Sequence, residues 1–280
     1  MQQLVVIRGA GDLATGVAQR LWRAGFLLVM LEQDEPRMVR RTVSLATAVY
    51  AGEMQVEDIV AKLVTEPLPR EQGPAVALLE GYWRQNLVPI VIDPSTATID
   101  LLRPFAVVDA IMAKKPTRTH VSQAPIVVAL GPGFVAGVDA HAIIETNRGH
   151  HLGRVLREGS AAPNTGIAGL VGGYARERVL RAPARGVWWP EKQIGDLVAL
   201  GETVGMVKDD GQATLVLAEM AGRVRGQLYP RLMVTAGQKI GDIDALATYE
   251  DCFTISDKAR SIAGGVLEAL LWLSRRRFLP

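Results

Sequence analysis

Short apolar runs alternate with helical patterns through roughly the first 180 residues. Residues 4–7, 27–31, 88–92, 106–111 and 126–130 are almost uninterrupted in apolar side chains, as strands covered on both faces of a parallel sheet are. Between them the spacing predicts helices over 13–24, within 40–50 and over 75–85. The last of these carries Leu78, Leu79 and Tyr82 at helical intervals and meets Asn86 and Pro89 as stop signals. A final helix is predicted from about residue 257 to 273, with Ile262, Val266, Leu270 and Leu273 on one face, Asp257 as its candidate cap, and Gly264-Gly265 allowing close backbone contact.

After Arg181 the pattern changes to short alternating stretches cut by glycine every few residues, the mark of a small all-β module. The module repeats internally. Gly186, Val198, Gly201, Val204, Gly205 and Val207 recur as Gly222, Val234, Gly237, Ile240, Gly241 and Ile243, an offset of 36 residues. Glycine supplies the positive φ of tight turns, so each half reads as the same hairpin unit. Two such halves predict a barrel-sandwich hybrid, similar in layout to biotinyl and lipoyl domains. Those carriers present an exposed lysine at the hairpin between the halves, where this chain has Asp209-Asp210-Gly211-Gln212 and keeps Lys208 outside any such motif. A structural or docking module is therefore expected rather than a swinging arm.

The chemistry-bearing motif is at the front. Ile7-Arg8-Gly9-Ala10-Gly11-Asp12-Leu13-Ala14-Thr15-Gly16 follows a predicted strand and opens a predicted helix, the context of a dinucleotide fingerprint. Gly9 permits the turn, Gly11 lets the backbone approach a pyrophosphate, and Ala14 takes the helix-packing position. Amides of the first helical turn, from Asp12 and Leu13 to Thr15, then face an anion. Glu32 ends the second run, where a carboxylate accepts hydrogen bonds from a ribose. The chain is thus expected to fold as an α/β protein: a Rossmann-like, mostly parallel sheet over 1–180, the hybrid module over 181–247, and a helix over 248–280 docking back on the first domain.

A second glycine turn, Leu130-Gly131-Pro132-Gly133-Phe134, follows the fifth run, and the segment from Ile144 to Arg154 concentrates Glu145, Arg148, His150 and Arg154. Arg148, His150 and Arg154 can form an anion pocket against the first loop, because ligands of such sheets settle beyond the carboxyl ends of the strands. The blander reading is an Arg–Glu pair beside solvated histidines. Asp109 and Lys114, with Lys115, are candidates for the same edge, although surface lysines more often only solvate.

Composition narrows the classes. Lys plus Arg number 31 against 29 acids, a net charge of +2, which gives no uniformly basic surface for nucleic acid. The single cysteine, Cys252, excludes a disulfide framework and a cysteine zinc site. Adjacent His150 and His151 point apart, and His120 and His141 lack helical partners, so no metal site is expected; no Gly-x-Ser-x-Gly elbow is present either. Met1-Gln2-Gln3 runs straight into residues 4–7, which are too short for an export signal, and no run reaches the ~20 apolar residues of a membrane helix. A cytoplasmic protein without membrane contact is expected. Assembly into a homo-oligomer stays open.

Five motifs together carry a family resemblance: Arg8-Gly9-Ala10-Gly11-Asp12-Leu13-Ala14-Thr15-Gly16, Val108-Asp109-Ala110, Leu130-Gly131-Pro132-Gly133-Phe134, Glu145-Thr146-Asn147-Arg148-Gly149-His150 and Ile255-Ser256-Asp257-Lys258-Ala259-Arg260. Across essentially the whole chain they look like the YqeB-type accessory proteins of the selenium-dependent molybdenum hydroxylases. The front half is more distantly similar to the Rossmann domain of the xanthine dehydrogenase accessory factor, which commonly has His where this chain has Asp12. The resemblance implies a maturation protein rather than a free-standing enzyme, one that holds or delivers a molybdopterin-type cofactor, such as its cytidine dinucleotide form, to an apo-hydroxylase. The ligand-site expectation comprises Gly9, Gly11, Asp12, Leu13, Ala14, Thr15, Glu32, Asp109, Lys114, Gly131, Gly133, Arg148 and His150. An NAD(P)-dependent oxidoreductase using the same first loop is the rival reading, and a docking scaffold without ligand the third.

Overall fold

The computed structural model describes residues 3–113, 117–164 and 172–278. Its contacts divide the chain into two units, the first made of Met1–Pro36, Ser44–Asn164 and Ile255–Pro280, the second of Arg37–Val43 and Thr165–Thr254.

In the first unit β1 (Leu4–Arg8), β2 (Leu27–Glu32), β3 (Glu53–Val56), β4 (Ile59–Leu63), β5 (Leu87–Ile92), β6 (Ala106–Asp109), β7 (Ile126–Leu130), β8 (Ala142–Ile144) and β9 (Val155–Leu156) form one nine-stranded sheet, ordered β3-β4-β5-β2-β1-β6-β7-β8-β9. Val5, Val6, Ile7, Val107, Val108 and 126–130 are buried, which explains why the central strands carry no polar alternation. The helices are α1 (Asp12–Arg23), α2 (Ala48–Ala51), α3 (Gln72–Trp83), α4 (Ala97–Leu102) and α5 (Asp257–Phe278). Where a helix was predicted within 40–50, the chain instead makes two 3-10 turns, Arg41–Val43 and Leu45–Thr47, and then the single turn of α2.

The second unit holds β10 (Val179–Arg181), β11 (Gly186–Pro190), β12 (Leu197–Val198), β13 (Thr203–Asp209), β14 (Gln212–Leu217), β15 (Gly222–Gln227), β16 (Met233–Val234) and β17 (Lys239–Asp244). They make two four-stranded antiparallel sheets, β10-β17-β15-β12 and β14-β13-β11-β16. Each half of the repeat lends its two-residue strand to the other: β12 pairs with β15 and β16 with β11. Asp210 and Gly211, at φ 42° and 83°, close the β13–β14 hairpin with the left-handed pair that a two-residue turn needs.

The fold expectation is corrected on these findings. The protein is mixed α/β, with a nine-stranded sheet in the first unit whose edge pairs, β3/β4 and β8/β9, are antiparallel, and two separate antiparallel sheets in the second, not a Rossmann-like sheet with a hybrid module. The strand order differs too, because β5 pairs with β2 and separates it from β4, whereas in the doubly wound order the third parallel strand lies next to the second. The cause is local. Glu53 to Leu63 alternates exposed and buried positions, so this edge hairpin has no apolar run to announce it.

One irregularity shapes the lower edge of the sheet. The β2–β5 ladder spans only Met30↔Ile90 to Glu32↔Ile92. Asp93 N–H donates to the Glu32 carbonyl, and with the two-residue alternation of a strand the missing N–H of Pro89 falls opposite the Leu28 carbonyl. The indole Nε1 of Trp83 donates to that carbonyl instead, at 2.8 Å. Among the described residues no helix is long and apolar enough to cross a membrane.

Candidate functional site

The site begins where β1 gives way to α1. Gly9 has φ +89°, and a Cβ there would stand 3.2 Å from the Ile111 backbone, so both conformation and approach require glycine. Gly11 differs: its φ is −66°, a Cβ would meet nothing within 4 Å, and no side chain caps α1. Neither backbone nor packing explains a glycine at 11, and the space above it is open. The turn is held from the sides. Ala10 N–H donates to Glu32 Oε1 at 2.9 Å, and the Ala10 carbonyl accepts Ala46 N–H at 2.8 Å. Thr15 is buried; its Oγ1 donates to the Gly11 carbonyl and accepts Leu45 N–H, each at 2.9 Å. Its hydroxyl therefore braces the turn. Ala14 is buried, and Asp12 and Leu13 are half-buried at the start of the helix.

Glu32 reaches the turn as expected of the residue ending β2, but its carboxylate is already engaged. Oε1 takes Ala10 N–H and Oε2 takes Gln33 N–H at 2.8 Å. Burial raises its pKa, opposed by those two amides. Each oxygen keeps a lone pair for a ribose hydroxyl.

Asp109 lies deeper. It is fully buried, paired with Arg8 Nη1 at 3.0 Å, and accepts the hydroxyls of Thr117, at 2.6 Å, and of Thr119. Arg8 also donates to the Thr117 carbonyl at 2.6 Å. This knot ties the ends of β1 and β6 together and faces inward; desolvation lowers the Arg8 pKa against the pull of Asp109 and Asp93. Lys114 and Lys115 lie outside the described residues.

Gly131, at φ +74°, is close enough to Thr146 that a Cβ would stand 2.6 Å from Oγ1, while Gly133, at φ +101°, faces open space. Arg148 grips Asp257 with both Nη atoms, at 2.9 and 3.3 Å. His150 stacks edge-on against His151, with ring centroids 5.0 Å apart, and lines a groove with Arg154 and with Ser261, Gly264 and Glu268 of α5. The structure thus gathers Gly9 to Thr15 with Glu32 at one turn, and Arg148 and His150 along the start of α5.

Lys258, in the first turn of α5, was absent from the expected site although its motif was in view. Its ammonium is half-buried and makes no ion pair or hydrogen bond within the described residues. Desolvation lowers its pKa, with Arg148 adding to the fall and Asp12, Asp257 and Glu145 opposing it. Of these four, Asp12 is the residue that opens α1, and α5 packs on α1 through Ala259, the next residue along, against Gly16. Glu145 is buried, and its two oxygens hold the amides of Asn147 and Ala162, each at 2.7 Å. The cap of α5 is Ser256, whose Oγ accepts Ala259 N–H at 3.2 Å, rather than Asp257. A free lysine beside an uncapped helix start can attract an anion. No group of three or more metal-ligating side chains occurs among the described residues.

No family model matches the chain. Among solved structures it is similar to a succinylglutamate desuccinylase/aspartoacylase from Rhodobacter sphaeroides, 14% identical over 86% of this chain and 85% of that one with a TM-score of 0.28. An aspartoacylase family protein from Mesorhizobium loti is 12% identical over 88% and 87%, with a TM-score of 0.30. At such TM-scores neither carries an activity across to this chain. Among curated proteins it is similar to the uncharacterized protein YqeB of Escherichia coli K12, 46% identical over 271 residues. The similarity to YqeB covers 97% of this chain, and the chain spans about half, 48%, of that protein.

Proposed function

We propose that the chain holds the diphosphate of a nucleotide-type cofactor of the molybdopterin class at the turn between β1 and α1, and acts as an accessory protein in maturing a molybdenum hydroxylase. The observation that carries the ligand reading is Gly11: an uncapped helix start with open space where a side chain would be. Lys258 supports it with an unengaged cation and offsets the nearby Asp12, which would otherwise repel a phosphate. Glu32 supports a ribose at the neighbouring position. The maturation role, with an apo-hydroxylase as partner, rests on the motif resemblance.

The test is calorimetric titration of the purified chain with molybdopterin cytidine dinucleotide, NAD and CTP. The reading expects preference for the molybdopterin ligand and loss of that binding in Gly11→Val. Preference for NAD would move the reading to an oxidoreductase, and silence with all three to a docking scaffold. Unchanged affinity in Gly11→Val would remove the turn as the site.

A further inference from the structure

At the other end of β2, about 17 Å from the glycine turn by strand length, a cleft of about 630 Å³ opens between the last turns of α1 and α3. The β2–β5 ladder stops short of Pro89, and Trp83 bonds the Leu28 carbonyl instead, which holds the indole in one orientation as a wall of the cleft. Trp22, from the last turn of α1, and Phe26, just beyond it, line the cleft as well. All three aromatics are half-buried, so part of each ring surface remains uncovered. Two of the chain's five tryptophans stand here.

Arg23 and Arg84 also line the cleft, with Glu80 as the single acid. Arg23 uses Nε on Asp58 at 2.8 Å, and Arg84 uses Nη2 on Glu80 at 2.7 Å. Each guanidinium has five N–H donors, so both keep donors for a further acceptor. A cleft of this size, walled by aromatics of which Trp83 is held by its hydrogen bond, with a few polar groups, has the ordinary form of a small-molecule site.

We propose that this cleft binds a planar aromatic ring carrying an anionic substituent, the ring against Trp22, Phe26 and Trp83 and the anion toward Arg23 and Arg84. Aromatic contact supplies affinity for the ring, and charge-assisted hydrogen bonds select the anion. The site is separate from the one at Gly11 and stands whether or not that reading holds.

Calorimetric titration of the full chain with naphthoate tests it. Saturable binding is expected, with cyclohexanecarboxylate, which has the charge without the flat ring, and naphthalenemethanol, which has the ring without the charge, each weaker by about tenfold or more. Trp22→Leu and Arg84→Glu are each expected to weaken naphthoate by about tenfold, while Gly11→Val leaves it unchanged. Near-ultraviolet circular dichroism checks that the variants fold; should Trp22→Leu not fold, the exposed Arg84→Glu decides. No saturable heat, equal affinity for the two carboxylates, or naphthoate affinity untouched by Arg84→Glu would overturn the proposal.

Discussion

Gly16 of α1 lies directly against Ala259 of α5: a Cβ at position 16 would stand 2.9 Å from the Cβ of Ala259 and 3.1 Å from its carbonyl. Gly16 is helical, with no positive φ to justify it, so the glycine serves the close approach of the two helices. That approach brings the start of α5 to the start of α1, and it is why Lys258 feels Asp12.

Gly16→Val should therefore destabilise the chain by roughly 1–3 kcal/mol through overpacking, read as a lowered urea midpoint. Because the same contact positions Lys258, affinity for the proposed diphosphate ligand should fall as well. A variant as stable as the parent would show that the helices separate without penalty.

The two glycines of the turn should respond in opposite ways. Gly11→Ala keeps an allowed φ and meets open space, so thermal stability should change by less than about 1 kcal/mol. Gly9→Ala forces a side chain into a positive φ against Ile111 and should cost about 1–3 kcal/mol. Equal losses at both positions would contradict this division of roles.

Trp83→Phe keeps a ring but leaves the Leu28 carbonyl without its donor, a loss of about 1–3 kcal/mol for a buried acceptor. Adding Pro89→Ala restores a main-chain N–H opposite that carbonyl, and the double variant should recover part of the loss. If denaturation shows no recovery, the indole is not standing in for the proline.

Glu57 governs part of the acid limb. Burial alone would raise its pKa, but hydrogen bonds from Gln19 and the Ile255 amide, and the charge of Arg260, outweigh it and hold the carboxyl below its usual value. A lowered folded pKa means stability that is fully present above the unfolded value of about 4.3 and lost as pH falls through the folded one. Glu57→Gln should flatten the decline of stability below about pH 5, measured by urea unfolding across that range. Parallel curves for the two proteins would exclude Glu57 as the source.

Legibility followed the range of each interaction. The run at 4–7 became β1, 27–31 became β2 with Glu32 added, and 126–130 became β7 without change, since an apolar stretch between turn residues needs no distant partner to be recognised. The hairpin β3–β4 has no such run to mark it, because Glu53, Gln55 and Lys62 are exposed on it. Pro89, read both as a stop after the preceding helix and as part of the run at 88–92, sits inside β5, where Trp83 serves the carbonyl left without its N–H. At the candidate site, Gly9 could be read from its neighbours alone. Lys258 could not, for its environment comes from Asp12, Arg148 and Glu145, all distant in sequence.

The amino-acid sequence by itself determined the buried strands at the centre of the first unit, the glycine turn and the repeated hairpins, because burial pattern and positive φ are properties of a few adjacent residues. Only the tertiary structure decided which strands are neighbours, that Asp109 faces inward to Arg8, and that Glu57 meets Arg260 across 203 residues. Such pairings are chosen by how whole faces pack and by which polar groups still need partners once they are buried, and a local pattern carries no record of either.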